Sequence, residues 1–179
     1  TNKYNFMLSL SKMSFNKVQY EDLKMILQWR NDSNVRNKMK NQHIISFMEH
    51  EKWFYETVND VSCEWMIIEY EGKKMGVVGI KEIDKNTMSC TWGMYLSPKI
   101  KNLGLGVLAE IKIIDRMFFK HNIHTIWGEV FPDNRNILRI HEKCGFKVIK
   151  DCDDILMISM TRDGWNGRKD SIVKEFALK

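Results

Sequence analysis

Between Trp92 and Phe146 the chain carries the string Lys101-Asn102-Leu103-Gly104-Leu105-Gly106, set between an expected strand and an expected helix. A loop of this kind turns main-chain N–H groups and the positive end of a helix toward one point, which suits an anion and most often a phosphate. Gly104-Leu105-Gly106-Val107-Leu108-Ala109 also fits the dinucleotide pattern G-x-G-x-x-A. Two facts argue against a Rossmann domain. Pro98 to Leu103 separates the strand from the first glycine, where that turn is tight, and only ~75 residues remain behind the loop, too few for repeated βαβ halves. No Gly-Lys-Ser/Thr follows, so a Walker loop is excluded. The plain alternative is a strand-to-helix turn with glycines at the helix entry.

Around this loop the periodicities predict an α/β arrangement. Ser14 to Gln19 reads as a first strand. Asp22 to Asn31 reads as a helix, with Leu23, Ile26, Leu27 and Arg30 at helical spacing. Ser46, with Glu49 three residues on, opens a second helix through a capping box, its apolar face being Phe47, His50, Trp53, Phe54 and Val58. Glu64 to Tyr70, Lys74 to Ile83 and Met88 to Leu96 form an antiparallel meander turned at Glu71-Gly72 and Lys85-Asn86. Leu105 to Lys120 is the longest helix, with Leu108, Ile111, Ile114, Asp115 and Phe118 along one side. His124 to Phe131 is a strand and Arg135 to Lys143 a helix capped by Asn134. Phe146 to Lys150 and Ile155 to Thr161 make a hairpin, and a last amphipathic helix starts near Trp165. The helix between two strands of one sheet implies a parallel crossover.

The 179 residues, 44% of them hydrophobic, are enough for one globular domain with a sizeable core. Residues 13–179 are expected to form it, with residues 1–12 as a leader or cloning remnant and Met13 as the original start. A net charge of +5, with lysines spread along the chain, suits a polyanionic small molecule as well as RNA, but gives no nucleic-acid stripe. Cys63, Cys90, Cys144 and Cys152 form no Cys-x-x-Cys pair and no zinc-like spacing with histidine, so no metal is expected. The thiols read as reduced, mostly buried groups of a cytoplasmic protein. No apolar run approaches the ~20 residues that span a bilayer.

A second string completes the picture: Asn134-Arg135-Asn136-Ile137-Leu138-Arg139-Ile140-His141-Glu142-Lys143-Cys144-Gly145-Phe146. With it in register, the chain resembles the GNAT superfamily of acetyl-CoA-dependent N-acetyltransferases over roughly residues 14–162. The family's loop reads Gln/Arg-x-x-Gly-x-Gly/Ala, here Lys101-x-x-Gly104-x-Gly106. Its helix motif reads Asn-x-x-(small/apolar)-x-x-x-Tyr-x-x-x-Gly-Phe, here with His141 in place of the tyrosine. The resemblance implies a GNAT (acyl-CoA N-acyltransferase) fold, a mixed central sheet opened in the middle with helices on both faces. It implies acetyl-CoA as cosubstrate, its pyrophosphate held by Lys101, Asn102, Leu103, Gly104, Leu105, Gly106 and Val107. Lysine there serves as a point charge, not a planar fork. A side chain added at Gly104 is expected to meet the pyrophosphate. Asn134 caps its helix and contacts the coenzyme, and main-chain amides at Gly93, Met94, Tyr95 and Leu96 bind the thioester carbonyl. Trp92 reads as strand packing, and Cys144 as structural.

Amide formation from a thioester needs a neutral amine, oriented donors for the developing oxyanion and an acid for the departing thiolate. The resemblance assigns the last task to His141, whose ordinary pKa of ~6.5 lets it donate or accept. The bland reading is a packing histidine. Glu129, near the end of the strand flanking the opening, is the candidate base, against a solvated strand-end glutamate. Transfer is expected within a ternary complex.

The acceptor is set by the N-terminal third. Leu27-Gln28-Trp29-Arg30-Asn31, the segment Val35 to Asn41 and the His50–Phe54 helix resemble the branch that acetylates nucleotide-linked deoxy amino sugars of the pseudaminic acid pathway. By that resemblance Arg30 and His50 lie near the nucleotide diphosphate, with Met39 and Lys81 lining the acceptor pocket. Arginine forks suit phosphate, and sulfur packs on a base. Arg30 has a rival role at its helix end, favoured by the dipole. The partner is then a small nucleotide sugar, not nucleic acid or membrane, with a homodimer left open. The runner-up is an N-terminal peptide acetyltransferase of the ribosomal-protein type, which shares the Trp-Arg-Asn start and the Glu-Lys-x-Gly-Phe ending. A noncatalytic coenzyme- or nucleic-acid-binding module is the third reading.

Overall fold

In a computed structural model describing residues 8–176, seven strands form one sheet in the order β1-β2-β3-β4-β5-β7-β6. They are β1 (Met13–Lys17), β2 (Glu64–Tyr70), β3 (Lys73–Asp84), β4 (Ser89–Leu96), β5 (Thr125–Val130), β6 (Lys147–Asp151) and β7 (Leu156–Thr161). All neighbours are antiparallel except β4 and β5, which run parallel. Short turns can join antiparallel strands, whereas a parallel pair needs a long crossover, and the helix between β4 and β5 supplies it. The expected hairpin at the end forms, with β7 as its inner strand.

The helices are α1 (Leu23–Asn31), α2 (Ser33–Arg36), α3 (Phe47–Thr57), α4 (Leu103–Asp115), α5 (Arg135–Cys144), α6 (Arg162–Asn166) and α7 (Lys169–Phe176). They cover both faces of the sheet. On one face Val78, Ile80, Cys90, Ile126, Ile158 and Met160 pack against α4 and the tail, including Leu108, Ile111, Ile114 and Trp165. On the other, Ile67 and Val77 meet Leu23, Ile26 and Trp29 of α1 and Phe54 of α3. Burial on both faces agrees with the alternation of each strand, the even-numbered residues of β4 facing α4 and Tyr95 facing α1.

The capping box at Ser46 and Glu49 forms as expected, Glu49 N–H donating to Ser46 Oγ at 3.2 Å and Ser46 N–H to Glu49 Oε2 at 2.7 Å. Phe47, expected on the buried face, is instead 37% exposed, because only His50 and Phe54 of this helix turn fully inward. Helix α4 starts at Leu103, two residues early, because Asn102 caps it, and its continuation Arg116–Lys120 winds as a π-helical turn. Helix α2 was not anticipated; the Asp32 carboxylate caps it by accepting from Asn34 N–H at 2.9 Å. The tail forms two short helices instead of one, with Trp165 fully buried and its indole N–H on Asp115 at 2.8 Å. Cys152 is exposed, unlike buried Cys90 and Cys144.

Residues 1–7 of the expected leader lie outside the described residues. Leu8 and Leu10 pack against the larger core, and Ser9 N–H donates to the Tyr70 hydroxyl at 3.2 Å. Among the described residues no helix is long and apolar enough to cross a membrane, and no three metal-ligating side chains gather.

The start of β2 is tied to the end of the α4 segment by one carboxylate. Glu64 accepts from Arg116 Nε and Nη2 at 2.8 and 2.6 Å, from Lys120 at 2.9 Å and from His121 Nε2 at 2.7 Å. Burial alone would raise the Glu64 carboxyl, but the bonds from Arg116, His121 and Lys120 hold it far below the usual carboxylate range. A depressed folded-state value means the stabilisation is complete above the unfolded glutamate's ~4.3 and is lost as pH falls below it. Glu64→Gln should therefore cost about 2 kcal/mol near pH 7. That corresponds to a melting temperature lower by roughly 4–8 °C. The gap between variant and parent should narrow as the pH is lowered below about 4. Thermal unfolding across pH checks this, and a gap that ignores pH would assign the loss to packing.

Candidate active site

The ladder between β4 and β5 consists of Ser89↔Thr125, Cys90↔Ile126 and Thr91↔Trp127, and there it stops. Both strands continue, β4 through Leu96 and β5 through Val130, each held on its outer side by β3 or β7. The two parallel strands therefore diverge toward their C-terminal ends, and Gly93, Met94, Tyr95 and Leu96 line an edge of β4 without a strand partner. Main-chain groups along such an edge need another hydrogen-bonding partner, from water or a ligand. At the fork the Trp92 indole lies across Gly128: a Cβ at that position would sit 2.6 Å from Trp92 Cζ3. Only glycine allows the strands to part around this ring.

Trp92 stacks on Phe146 with ring centres 4.8 Å apart and meets the His141 ring edge-on at 5.5 Å. The Gly-Phe ending of the second motif explains how. Gly145 takes a left-handed φ of 107°, so that Phe146 N–H donates to the His141 carbonyl and Gly145 N–H to Glu142, both at 3.0 Å. This closes α5 as a Schellman motif and folds Phe146 back onto His141. His141 is buried, and its Nδ1 lies 2.5 Å from Glu110 Oε1 of α4. Glu110 is 2% exposed, and burial first, followed by this carboxylate, pushes the Cys144 thiol up.

The glycine loop forms the first turn of α4. The Asn102 side chain caps it, accepting from Gly104 N–H at 3.0 Å, and the Asn102 carbonyl accepts from Leu105 N–H at 3.1 Å. Only first-turn amides of a helix lack an i−4 carbonyl, and here Gly104 and Leu105 already donate to Asn102; Val107, expected to bind the coenzyme through its amide, lies beyond that turn, belongs to the internal ladder and buries its side chain. The expectation for Gly104 also changes: a Cβ there would meet Leu8 Cδ1 at 2.6 Å, a contact within the protein, whereas one at Gly106 finds nothing closer than Leu96 Cδ1 at 3.7 Å. Lys101 is exposed just ahead of the helix. Asn134 precedes α5 but its side chain makes no cap, its ψ of 56° being unsuited to one. Instead it lines a cavity of ≈290 Å³ with Asn37, Lys38, Gln42, Phe131 and Asp133. A larger cavity of ≈360 Å³ opens between α3 and the β1–β2 side and includes no candidate site residue.

By strand alternation Lys81, Gly93, Tyr95 and Glu129 share the face turned toward α1. The Lys81 ammonium lies 3.8 Å from the place of a Gly93 Cβ. The segment after α2 spreads over this face. Asn31 holds it through both main-chain groups of Ile45, Arg30 Nη2 donates to the Asn41 carbonyl at 2.6 Å, and Arg36 Nη1 donates to Gln42 at 2.8 Å. From this segment Lys40 reaches Glu129 and forms an ion pair. Arg30 Nη1 and Arg36 Nε are buried without a hydrogen-bond partner, and neither arginine has a carboxylate within 4.0 Å among the described residues. Burial draws the Arg30 guanidinium down, Tyr95 opposes this, and Arg36 adds to it.

Not every expected residue joins this group. Met39 is half-buried in the segment and belongs to neither core. His50 is 5% exposed, stacked on Trp53 at 5.0 Å, and faces the Leu23 end of α1, which at 1.5 Å per residue is about 10 Å from Arg30. Its Nε2 has no partner, and burial lowers its pKa. The structure thus separates His50 from Arg30 and makes it a core residue. Glu110, Arg36 and Lys40 were missed. The clue to Glu110 was present: it is a carboxylate set between Ala109 and Ile111 in the run 107–114, which is apolar apart from Glu110 and Lys112. No local pattern pointed to Arg36 or Lys40, because Arg36 ends the four-residue α2 and Lys40 lies in the irregular segment after it.

The family model described as Acetyltransferase (GNAT) domain matches residues 12–147. The chain is 26% identical over 147 residues to Acetyltransferase PseH of Campylobacter jejuni subsp. jejuni serotype O:23/36 (strain 81-176), covering 82% of this chain and 90% of that protein. It is 24% identical over 142 residues to Spermidine N(1)-acetyltransferase of Escherichia coli (strain K12), covering 79% and 76%. Its fold superposes with a TM-score of 0.79 on spermidine N-acetyltransferase from Vibrio cholerae in complex with CoA and spermine, at 19% identity over 87% of this chain and 99% of that one. For C. jejuni N-acetyltransferase PseH the TM-score is 0.68, at 18% identity over 84% and 99%. At such identities the structural likeness speaks for the fold alone, but the family model spans most of the chain. The protein belongs to the GNAT family and is an acetyl-CoA-dependent N-acetyltransferase.

Proposed function

We propose that this enzyme moves the acetyl group of acetyl-CoA to the 4-amine of a nucleotide-linked deoxy amino sugar, of the UDP-4-amino-4,6-dideoxy-N-acetyl-altrosamine type that leads to pseudaminic acid in bacterial surface glycans. The observation that carries this reading is the charge of the α1-side face. Arg30 and Arg36 keep buried N–H groups without partners, and Lys38, Lys40 and Lys81 stand nearby. Of the carboxylates there, Glu129 is engaged by Lys40 and Asp133 lies at the cavity. A diphosphate supplies the missing acceptors, bidentately for a guanidinium. A polyamine would bring cations to cations. The sequence likeness to PseH agrees, while the spermidine acetyltransferases are about as similar, so the charge of this face is what separates the two substrates.

Acetyl-CoA fits two features of the chain: the exposed first turn of α4 and the unpaired edge of β4. The first turn, with Asn102, Gly104, Leu105 and Gly106, would hold the pyrophosphate, the Asn102 cap giving way to it. The edge from Gly93 to Leu96 would receive the thioester, which supplies an activated acyl carbon. Glu129 takes the proton of the attacking amine, and an anionic acceptor drawing on Lys40 frees that carboxylate. His141 protonates the departing sulfur.

Gly106→Ala should raise stability by about 0.5–1 kcal/mol through helix propensity, since space exists for the methyl group. The same variant should weaken acetyl-CoA binding by at least ~10-fold, or ~1.4 kcal/mol. Calorimetry beside thermal unfolding reads both, and unchanged affinity removes the loop from the coenzyme site. Thiol release should occur with the nucleotide amino sugar and not with spermidine or an N-terminal peptide. Arg30→Gln combined with Arg36→Gln should raise the sugar KM at least ~10-fold while leaving the acetyl-CoA KM within about twofold. Faster turnover of spermidine by the parent enzyme would replace the substrate. Glu129→Gln should lower kcat by ~100-fold; activity within a few-fold of the parent would return that residue to solvent.

A further inference from the structure

We propose that Glu110 is a positioning residue for the reaction: its buried carboxylate binds the Nδ1 proton of His141 and leaves Nε2 as the nitrogen that serves the sulfur. This rests on the reading of His141 as proton donor given above and adds the group that makes a histidine usable there.

A carboxylate buried among Leu108, Ala109 and Ile111 is costly to leave unpaired. Among the described residues its hydrogen-bond partner is His141 Nδ1 at 2.5 Å. In the arrangement proposed, Nδ1 carries the shared proton and donates it to the Glu110 carboxylate, which accepts. The imidazole then has one remaining nitrogen, Nε2, directed away from α4. Phe146 at 5.4 Å and Trp92 at 5.5 Å fix the plane of the ring, and Trp92 spans the fork. A tyrosine has a single polar atom and needs no such device. A histidine that keeps its Nδ1 proton can donate from Nε2 only as the imidazolium, so its use at position 141 calls for a carboxylate that holds the Nδ1 proton while Nε2 gives up its own.

The proton balance is complete. The amine nitrogen bonds to the acyl carbon as the carbon–sulfur bond breaks, its electron pair leaving with sulfur. His141 enters the step as the imidazolium, passes its Nε2 proton to that sulfur and becomes a neutral Nδ1–H imidazole, still held by Glu110. Glu129 receives the proton lost by the amine, and exchange with solvent resets both residues.

Histidine ring nitrogens of the 15N-labelled protein report the tautomer with no acceptor present, the His141 signals being those lost in His141→Asn. The parent protein should show Nδ1 protonated. Glu110→Gln should populate the form with the proton on Nε2 alone. In thiol-release assays that variant should lose at least ~10-fold in kcat with the acetyl-CoA KM within about twofold. A parent spectrum with the proton on Nε2 alone overturns the proposal even if the variant fails to fold. So does a Glu110→Gln enzyme within twofold of the parent kcat, or one whose melting temperature falls and whose acetyl-CoA KM rises along with the loss of kcat, which would make Glu110 a tie between helices. If the acceptor is another amine, the spectrum is unaffected and the kinetics run with that amine, so failure of the sugar assignment and failure of this role are told apart.

Discussion

The break in the β4–β5 ladder is the constraint on which the rest of the molecule turns. A parallel pair buried on both faces would ordinarily continue as far as its strands do, because each unpaired main-chain group away from water is costly. Here pairing ends at Thr91↔Trp127, although β4 runs on through Leu96 and β5 through Val130. The outer strands β3 and β7 keep each arm in place. The opening is therefore a rigid wedge with a structured wall on each side, and Trp92 over Gly128 is the spacer that holds the arms apart. Everything assigned to chemistry stands around that spacer: His141 and Phe146 on the α4 side, Lys81, Gly93 and Glu129 on the α1 side.

The two sides of the wedge handle charge differently. On the α4 side a single carboxylate is buried nearly completely and matched to one imidazole. In a low-dielectric setting such a cluster favours one proton arrangement over others. On the α1 side the excess is cationic and incompletely matched, with arginine N–H groups buried and idle. Strand alternation keeps these environments apart across a single sheet, and the proposed proton acceptor Glu129 and proposed donor His141 fall on opposite faces.

Much of this was legible in the residues. The strand and helix pattern, the capping box at Ser46, the parallel crossover and the two glycine motifs are local signals, written in spacing and in residue types with few alternatives. The Gly145-Phe146 ending is the clearest case: glycine after a helix permits the left-handed turn, and the turn dictates where Phe146 packs. What could not be read depends on contacts between distant segments. Nothing near Asn134 shows that its side chain leaves the helix cap, nothing near His50 shows that it sinks against Trp53, and nothing near Gly104 shows Leu8 against it. Glu110 and His141 are 31 residues apart, and only the packing of α4 on α5 joins them.

The segment after α2 carries the same lesson into the acceptor side. It has no regular structure to satisfy its own carbonyls, so Arg30, Asn31 and Arg36 do so, each spending part of its hydrogen-bonding capacity on main chain. The helix-end reading of Arg30 and the ligand reading are therefore not rivals. One nitrogen of its guanidinium ties the segment after α2 to α1, and another stays buried without a partner. A group fixed in this way loses less freedom on meeting a ligand than a free surface arginine would, which is the energetic advantage of building a binding wall from its own fasteners.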